Sequence, residues 1–142
     1  MIKVKVHTGE IELSTKGKVD IINITDRVQE ILDESGIKDG FALVFCVGST
    51  CAVSTTEYEP GLKKDIPTAL ERLFPRNIYY HHEETWHDGN GHSHVRATFL
   101  KPDLTVPVVN GKLTLGTWQQ IIFLELDIRR RRRRIIVQVM GL

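Results

Sequence analysis

Cysteine is scarce in this chain. Only Cys46 and Cys51 occur, which excludes a disulfide framework. Both lie in apolar, strand-like sequence and read as buried, reduced thiols, and no neighbouring histidine supports either as a nucleophile. Charge of one sign is missing too: the formal net charge is +1, so no global field draws the chain to nucleic acid or a membrane surface. Long apolar runs are absent. The longest, Phe41–Val47, is far too short to cross a bilayer. The N-terminus alternates polar and apolar residues from Met1 to Val6, which reads as a strand and not as a signal peptide. The expected location is the cytoplasm. No repeat, linker or low-complexity tract divides the 142 residues, so one domain over 1–142 is expected.

What is present is mostly β pattern. Strands are expected at Ile2–Thr8 and Glu10–Ser14 with Gly9 between them, at Val19–Asn23, at Phe41–Val47 and at Cys51–Thr56. Ile24, Val28, Ile31 and Leu32 recur at helical spacing, with Asp26 near the start and Gly36 as a stop, which predicts a helix over Thr25–Ser35. Leu62, Ile66, Ala69, Leu70 and Leu73 mark a second helix, which Pro67 kinks unless Asp65 starts it afresh. Further strands are expected at Asn77–His82, Ser93–Leu100, Leu104–Val109, Lys112–Leu115, Gln120–Ile128 and Ile135–Met140. Asn110-Gly111 is a two-residue hairpin turn. About nine or ten strands and two helices make an α+β, mostly β chain, namely an antiparallel β-sandwich or partly closed barrel with two covering helices.

Histidine is concentrated where it can act. Five of the six histidines fall within His81–His94, mixed with Glu83, Glu84 and Asp88. Imidazoles and carboxylates are the usual metal ligands and proton carriers near neutral pH. Glu83–Gly91 reads as a loop, and His92-Ser93-His94 as the start of a strand. Strand alternation then places His92, His94 and Arg96 on one face, with Val95, Ala97 and Phe99 on the core side. The expected metal set is His82, His92 and His94, with Asp88 and His87 as second choices, around a divalent ion such as zinc or magnesium. The bland alternative is a polar loop whose histidines bond to backbone or water.

Other segments invite comparison with that loop. Gly116-Thr117-Trp118-Gln119-Gln120 offers a bend, a stacking face and an amide, or simply a bulge with a packed Trp. Gly48-Ser49-Thr50 reads as a turn between strands without the lysine of a P-loop, and Glu57 and Glu59 as solubilising charge. The six arginines Arg129–Arg134 would span about 20 Å if extended and would force three charges toward the core. They read as a solvated turn, with Glu125 and Asp127 as nearby partners. With 7% aromatics, a nucleic-acid patch is the minor alternative.

The stretches Trp86–His94, Leu104–Pro107 and Gly111–Gln119, above all Gly116-Thr117-Trp118-Gln119 after a short hairpin, resemble the YjbQ-like family, and the likeness covers nearly the whole chain. Its members are often labelled secondary thiamine-phosphate synthases. The resemblance implies a compact, mostly β domain with helices on its faces, a homotrimer, and a pocket at subunit boundaries. It implies His82, His94 and Gln119 as catalytic residues, and Thr117 and Trp118 as substrate contacts. It also lowers His81 to a bystander. Where many members carry a histidine before the Ser/Thr pair, this chain has Gly48. Thiamine-phosphate synthesis joins a pyrimidine diphosphate to a thiazole phosphate and releases diphosphate, a charge that Arg96 and a bound cation can meet. Three readings follow: a metal-assisted enzyme, a non-catalytic ligand- or metal-binding homotrimer, and a nucleic-acid accessory protein using the arginine run.

Overall fold

The computed structural model describes residues 1–142. In chain order the elements are β1 (Lys5–Ser14), β2 (Asp20–Asn23), α1 (Thr25–Ser35), β3 (Gly40–Val47), β4 (Cys51–Glu57), α2 (Pro60–Leu73), α3 (His82–Trp86), α4 (Gly91–Leu100), β5 (Asp103–Val109), β6 (Lys112–Leu113), β7 (Gln119–Glu125) and β8 (Arg132–Gly141). Two antiparallel sheets result, one ordered β1-β8-β3-β5-β6 and one ordered β2-β7-β4. The α+β, mostly β expectation holds, with eight strands and four helices in place of nine or ten strands and two helices. None of the helices is long and apolar enough to cross a membrane.

The two faces of β7 explain the layering. Ile121 and Phe123 join the main core, shared with Val44, Ile135 and Val137 of the larger sheet and with Val28, Ile31 and Leu32 of α1. Ile122 and Leu124 point the other way, onto Leu70 of α2 and Ala97 of α4. A strand covered on both faces loses polar alternation, which is why Ile121–Leu124 reads as an unbroken apolar run. The larger sheet is covered on one side only. Phe41, Phe45, Val47 and Met140 stay exposed on its outer face.

Four local expectations are corrected. Gly9 does not separate two strands: it pairs with Val137 in the middle of a continuous β1. A Cβ there would lie 2.6 Å from the Ile31 side chain, so this glycine admits α1 close to the sheet. Pro67 sits inside one helix that runs unbroken from Pro60 to Leu73. Glu59 is not idle surface charge but the N-cap of α2, accepting from the Gly61 and Leu62 N–H groups at 2.8 and 2.6 Å. The fourth concerns the segments that flank and carry the histidines. Asn77–His82 is not a strand, and Ser93–Leu100 is helical, within α4. The sequence from 92 to 100 fits period 2 and period 3.6 about equally. Packing decides for the helix, because Ser93, Arg96 and Ala97 are buried at helical spacing and α4 lies on β4. Phe99, expected in the core, is exposed and stacks on Phe74 at 5.1 Å.

Candidate metal centre

A helix turns successive residues by about 100°, so His92 and His94 leave opposite sides of α4. The strand-based trio of His82, His92 and His94 is thereby broken. His94 instead meets His82, at the start of α3, and Asp88, in the turn after it. The His82 and His94 ring centroids are 4.5 Å apart. His82 Nε2 lies 3.2 Å from Asp88 Oδ1. One ligand atom from each of His82, Asp88 and His94 lies within 4.8 Å of the other two. These three residues can hold a metal ion.

The loop carrying Asp88 is fixed by backbone donors. Glu83 accepts from the N–H of Gly89 at 2.8 Å and of Gly91 at 3.4 Å. Asp88 Oδ1 accepts from the Asn90 N–H at 3.0 Å. Asn90 is buried, and its Oδ1 accepts from the Ser93 hydroxyl at 2.7 Å and the Ile128 N–H at 3.4 Å, which ties the loop to the turn after β7. Neither Glu83 nor Asn90 stands out as a site residue in the sequence. The only trace is an acid six and eight residues before two glycines.

The donor set suits a cation. His82 Nε2 is buried and makes no regular hydrogen bond; its polar neighbour Asp88 Oδ1 lies within ion-pair reach. A buried nitrogen without a partner is costly unless something fills its lone pair. Burial, and then the neighbouring His82, lower the pKa of His94, which keeps its ring neutral and able to coordinate at neutral pH. Burial opposes ionisation of Asp88, but the Asn90 N–H and His82 outweigh it and hold the carboxyl below its usual range. Two imidazoles and a carboxylate match the donors of catalytic zinc sites. Beside His94 opens a cavity of about 340 Å³ lined by Gly48, Ser49, Cys51 and Thr98, a volume that fits a small ligand.

The remaining candidates lie elsewhere. His87 is an exposed left-handed C-cap of α3, outside the trio. His81 is exposed and bonds Glu84 at 2.6 Å. His92 and Arg96 are buried in a separate recess, where Arg96 donates to the Phe74 carbonyl and to Glu71 at 2.8 Å. Thr117, Trp118 and Gln119 are exposed. Gln119 donates to Thr55 at 3.0 Å and lines a groove of about 380 Å³ with Val53, Lys101 and Pro107. Within one chain, the histidine trio and the Thr117-Trp118-Gln119 segment do not share a cavity.

Arg129–Arg134 is only half a turn. Arg132, Arg133 and Arg134 enter β8, and Arg133 alone points inward, onto Glu125. Arg131 pairs with Asp127, Arg132 with Glu12 and Arg134 with Glu10. The two cysteines are buried and free, as expected.

A sequence profile of the family described as UPF0047 protein YjbQ-like matches residues 9–142. The chain belongs to the YjbQ-like UPF0047 family. A UPF0047 protein of Methanothermobacter thermautotrophicus is 44% identical over 137 residues, covering 96% of this chain and 94% of the relative. The UPF0047 protein YugU of Bacillus subtilis is 33% identical over 133 residues, covering 92% of this chain and 97% of the relative. Among solved structures, a YbjQ-like protein of unknown function from Sulfolobus solfataricus P2 superposes with a TM-score of 0.94 at 38% identity, covering 99% of this chain and all of that one, 100%. The YjbQ-like family thus accounts for the fold, while the chemistry rests on the residues around His82.

Proposed function

We propose that this YjbQ-like chain is a metal-assisted enzyme in which His82, Asp88 and His94 hold a divalent cation beside a cavity for a small phosphorylated or heterocyclic substrate. One observation carries the reading: the buried, unbonded His82 Nε2 faces Asp88 and His94 at ligand spacing. Two imidazoles favour zinc over magnesium, which prefers oxygen ligands and retained waters. A bound cation would supply Lewis-acid stabilisation to a phosphoryl or carbonyl oxygen. The chain's own residues do the rest. Asp88 keeps its negative charge, Glu83 and Asn90 fix the loop, and Ser49 and Thr98 offer hydroxyls to a ligand in the cavity.

Thiamine-phosphate synthesis is the candidate reaction. A thiazole phosphate nitrogen would displace diphosphate from the pyrimidine methylene carbon, and the leaving charge needs cations nearby. Gln119, Thr117 and Trp118 would join the site from a neighbouring copy in a homotrimer. The exposed apolar face of Phe41, Phe45, Val47 and Met140 supports such self-association, since apolar patches of this kind mark interaction sites. Free Cys46 and Cys51 accord with a reducing compartment, the cytoplasm.

The test is metal analysis of the purified protein together with a thiamine-phosphate assay. Zinc bound at one equivalent per chain, with turnover lost in His94→Ala while the fold is kept, supports the enzyme. Bound metal without turnover leaves the non-catalytic binder. Absence of metal affinity ends the cation reading.

A further inference from the structure

On the opposite face of α4 from His94 lies a second recess, of about 220 Å³, between α2, α4, the segment before β2 and the turn after β7. Its lining holds three cations, Lys18, Arg76 and Arg96, with the His92 imidazole beside them, and two carboxylates, Glu71 and Asp127, each already paired with an arginine. Arg96 is 3% exposed and His92 4%, so both are built into the wall. Arg96 commits Nε and Nη2 to the Phe74 carbonyl and Glu71, which leaves Nη1 without a protein partner. Lys18 and Arg76 have no carboxylate partner for their side chains, because Glu71 pairs with Arg96 and Asp127 with Arg131.

The backbone at the rim is strained as well. Gly17, Lys18 and Val19 take successive φ values of +79°, +56° and +51°. A β-branched residue such as Val19 strongly disfavours that region. The Lys18 N–H to Asp127 carbonyl bond, at 3.1 Å, holds the strained turn over the recess. Strain held in place by surrounding contacts concentrates at ligand clamps.

We propose that this recess binds the phosphate group of a small phosphomonoester through Lys18, Arg76 and Arg96. The cations come from three separate elements and converge on one volume. That arrangement suits a multiply charged group with three oxygens, whereas a carboxylate is served by one planar guanidinium. The small volume admits little beyond the phosphate and a short carbon skeleton. The site stands apart from the cation trio and does not depend on it.

Calorimetric titration of the full chain with inorganic phosphate and with glycerol phosphate, each with and without a chelator, tests the assignment. Binding in the millimolar range or tighter, weakened at least about tenfold in the Lys18→Gln/Arg76→Gln double variant and indifferent to the chelator, supports it. Both substitutions are at exposed positions, so the fold should survive, and circular dichroism checks that. No binding up to about 10 mM, or binding unchanged in the double variant, overturns the proposal. Binding lost on chelation overturns it too, by moving the anion to the cation trio. Glycerol phosphate binding more weakly than free phosphate would overturn the phosphomonoester assignment.

Discussion

Arg133 and Glu125 form a two-pronged ion pair across the sandwich, with Nε to Oε2 at 2.6 Å and Nη2 to Oε1 at 2.5 Å. Both side chains are buried, and Thr15 and Thr50 supply further bonds to the pair. Removing one partner strands a charge in a dry interior. Arg133→Ala should therefore destabilise the fold by about 3–5 kcal/mol. Replacing both, as Glu125→Leu with Arg133→Leu, should cost less than either single loss. Denaturant unfolding of Glu125→Leu, Arg133→Leu and the double variant measures this, and additive losses would argue against a coupled pair.

Gly9 offers a packing test. Its Cβ would sit 2.6 to 2.9 Å from three atoms of Ile31, whose branched side chain cannot rotate freely away. Gly9→Ala should cost about 1–3 kcal/mol by overpacking. In a Gly9→Ala/Ile31→Ala double variant the added methyl finds room, so the double loss should be smaller than the sum of the singles. A thermal-melt cycle reads this coupling, and strict additivity would refute the clash.

The trio makes a claim that separates it from its neighbours. His82→Ala and His94→Ala should each weaken zinc affinity by more than the roughly 10–100-fold that loss of an outer-shell group brings. His92→Ala should leave zinc affinity within about twofold, because that ring faces the other side of α4. Competition titration with a chromogenic chelator distinguishes the three. A large loss in His92→Ala alone would reinstate a site on the other face.

Asp127 sets a dependence on pH. Burial works against its ionisation, but the Arg129 N–H, Asn90, Arg131 and Thr50 outweigh it and lower its pKa from 3.8 to about 2. A carboxyl with a depressed folded pKa contributes stability that is present above its unfolded value and lost as pH falls through the folded value. The contribution, about 2.5 kcal/mol, should be complete near pH 5 and decay progressively between the unfolded value and about 2. Asp127 is fully inaccessible to solvent, so little screening reduces it. Asp127→Asn should flatten this part of the acid limb in unfolding experiments run across that range. An unchanged limb would place the acid sensitivity elsewhere.

Much of this architecture is written locally. Helix α1 falls at Thr25–Ser35, where the Val28, Ile31 and Leu32 stripe and Gly36 place it, and Gly36 takes the left-handed cap with φ +69°. Asn110 and Gly111 take the positive φ values that a tight hairpin needs, +51° and +75°. The concentration of ligand-type residues in His81–His94 also marks the right neighbourhood, with His82, Asp88 and His94 among its candidates. Their grouping was not legible there, because it follows from the conformation of residues 91–100.

By itself the sequence determined the class of fold, because apolar periodicity, turn residues and caps act over a few neighbours along the chain. It also determined which side chains were available for a site. Tertiary structure alone decided that Ser93–Leu100 is a helix. Two periods fitted the same residues, and burial of Arg96 and Ala97 behind the smaller sheet selected one of them. That choice sent His94 toward His82 and Asp88, and His92 into the cationic recess with Arg96. It likewise decided that Arg133 could enter the core, since only the pairing of β7 and β8 residues across the sandwich brings Glu125 to meet it.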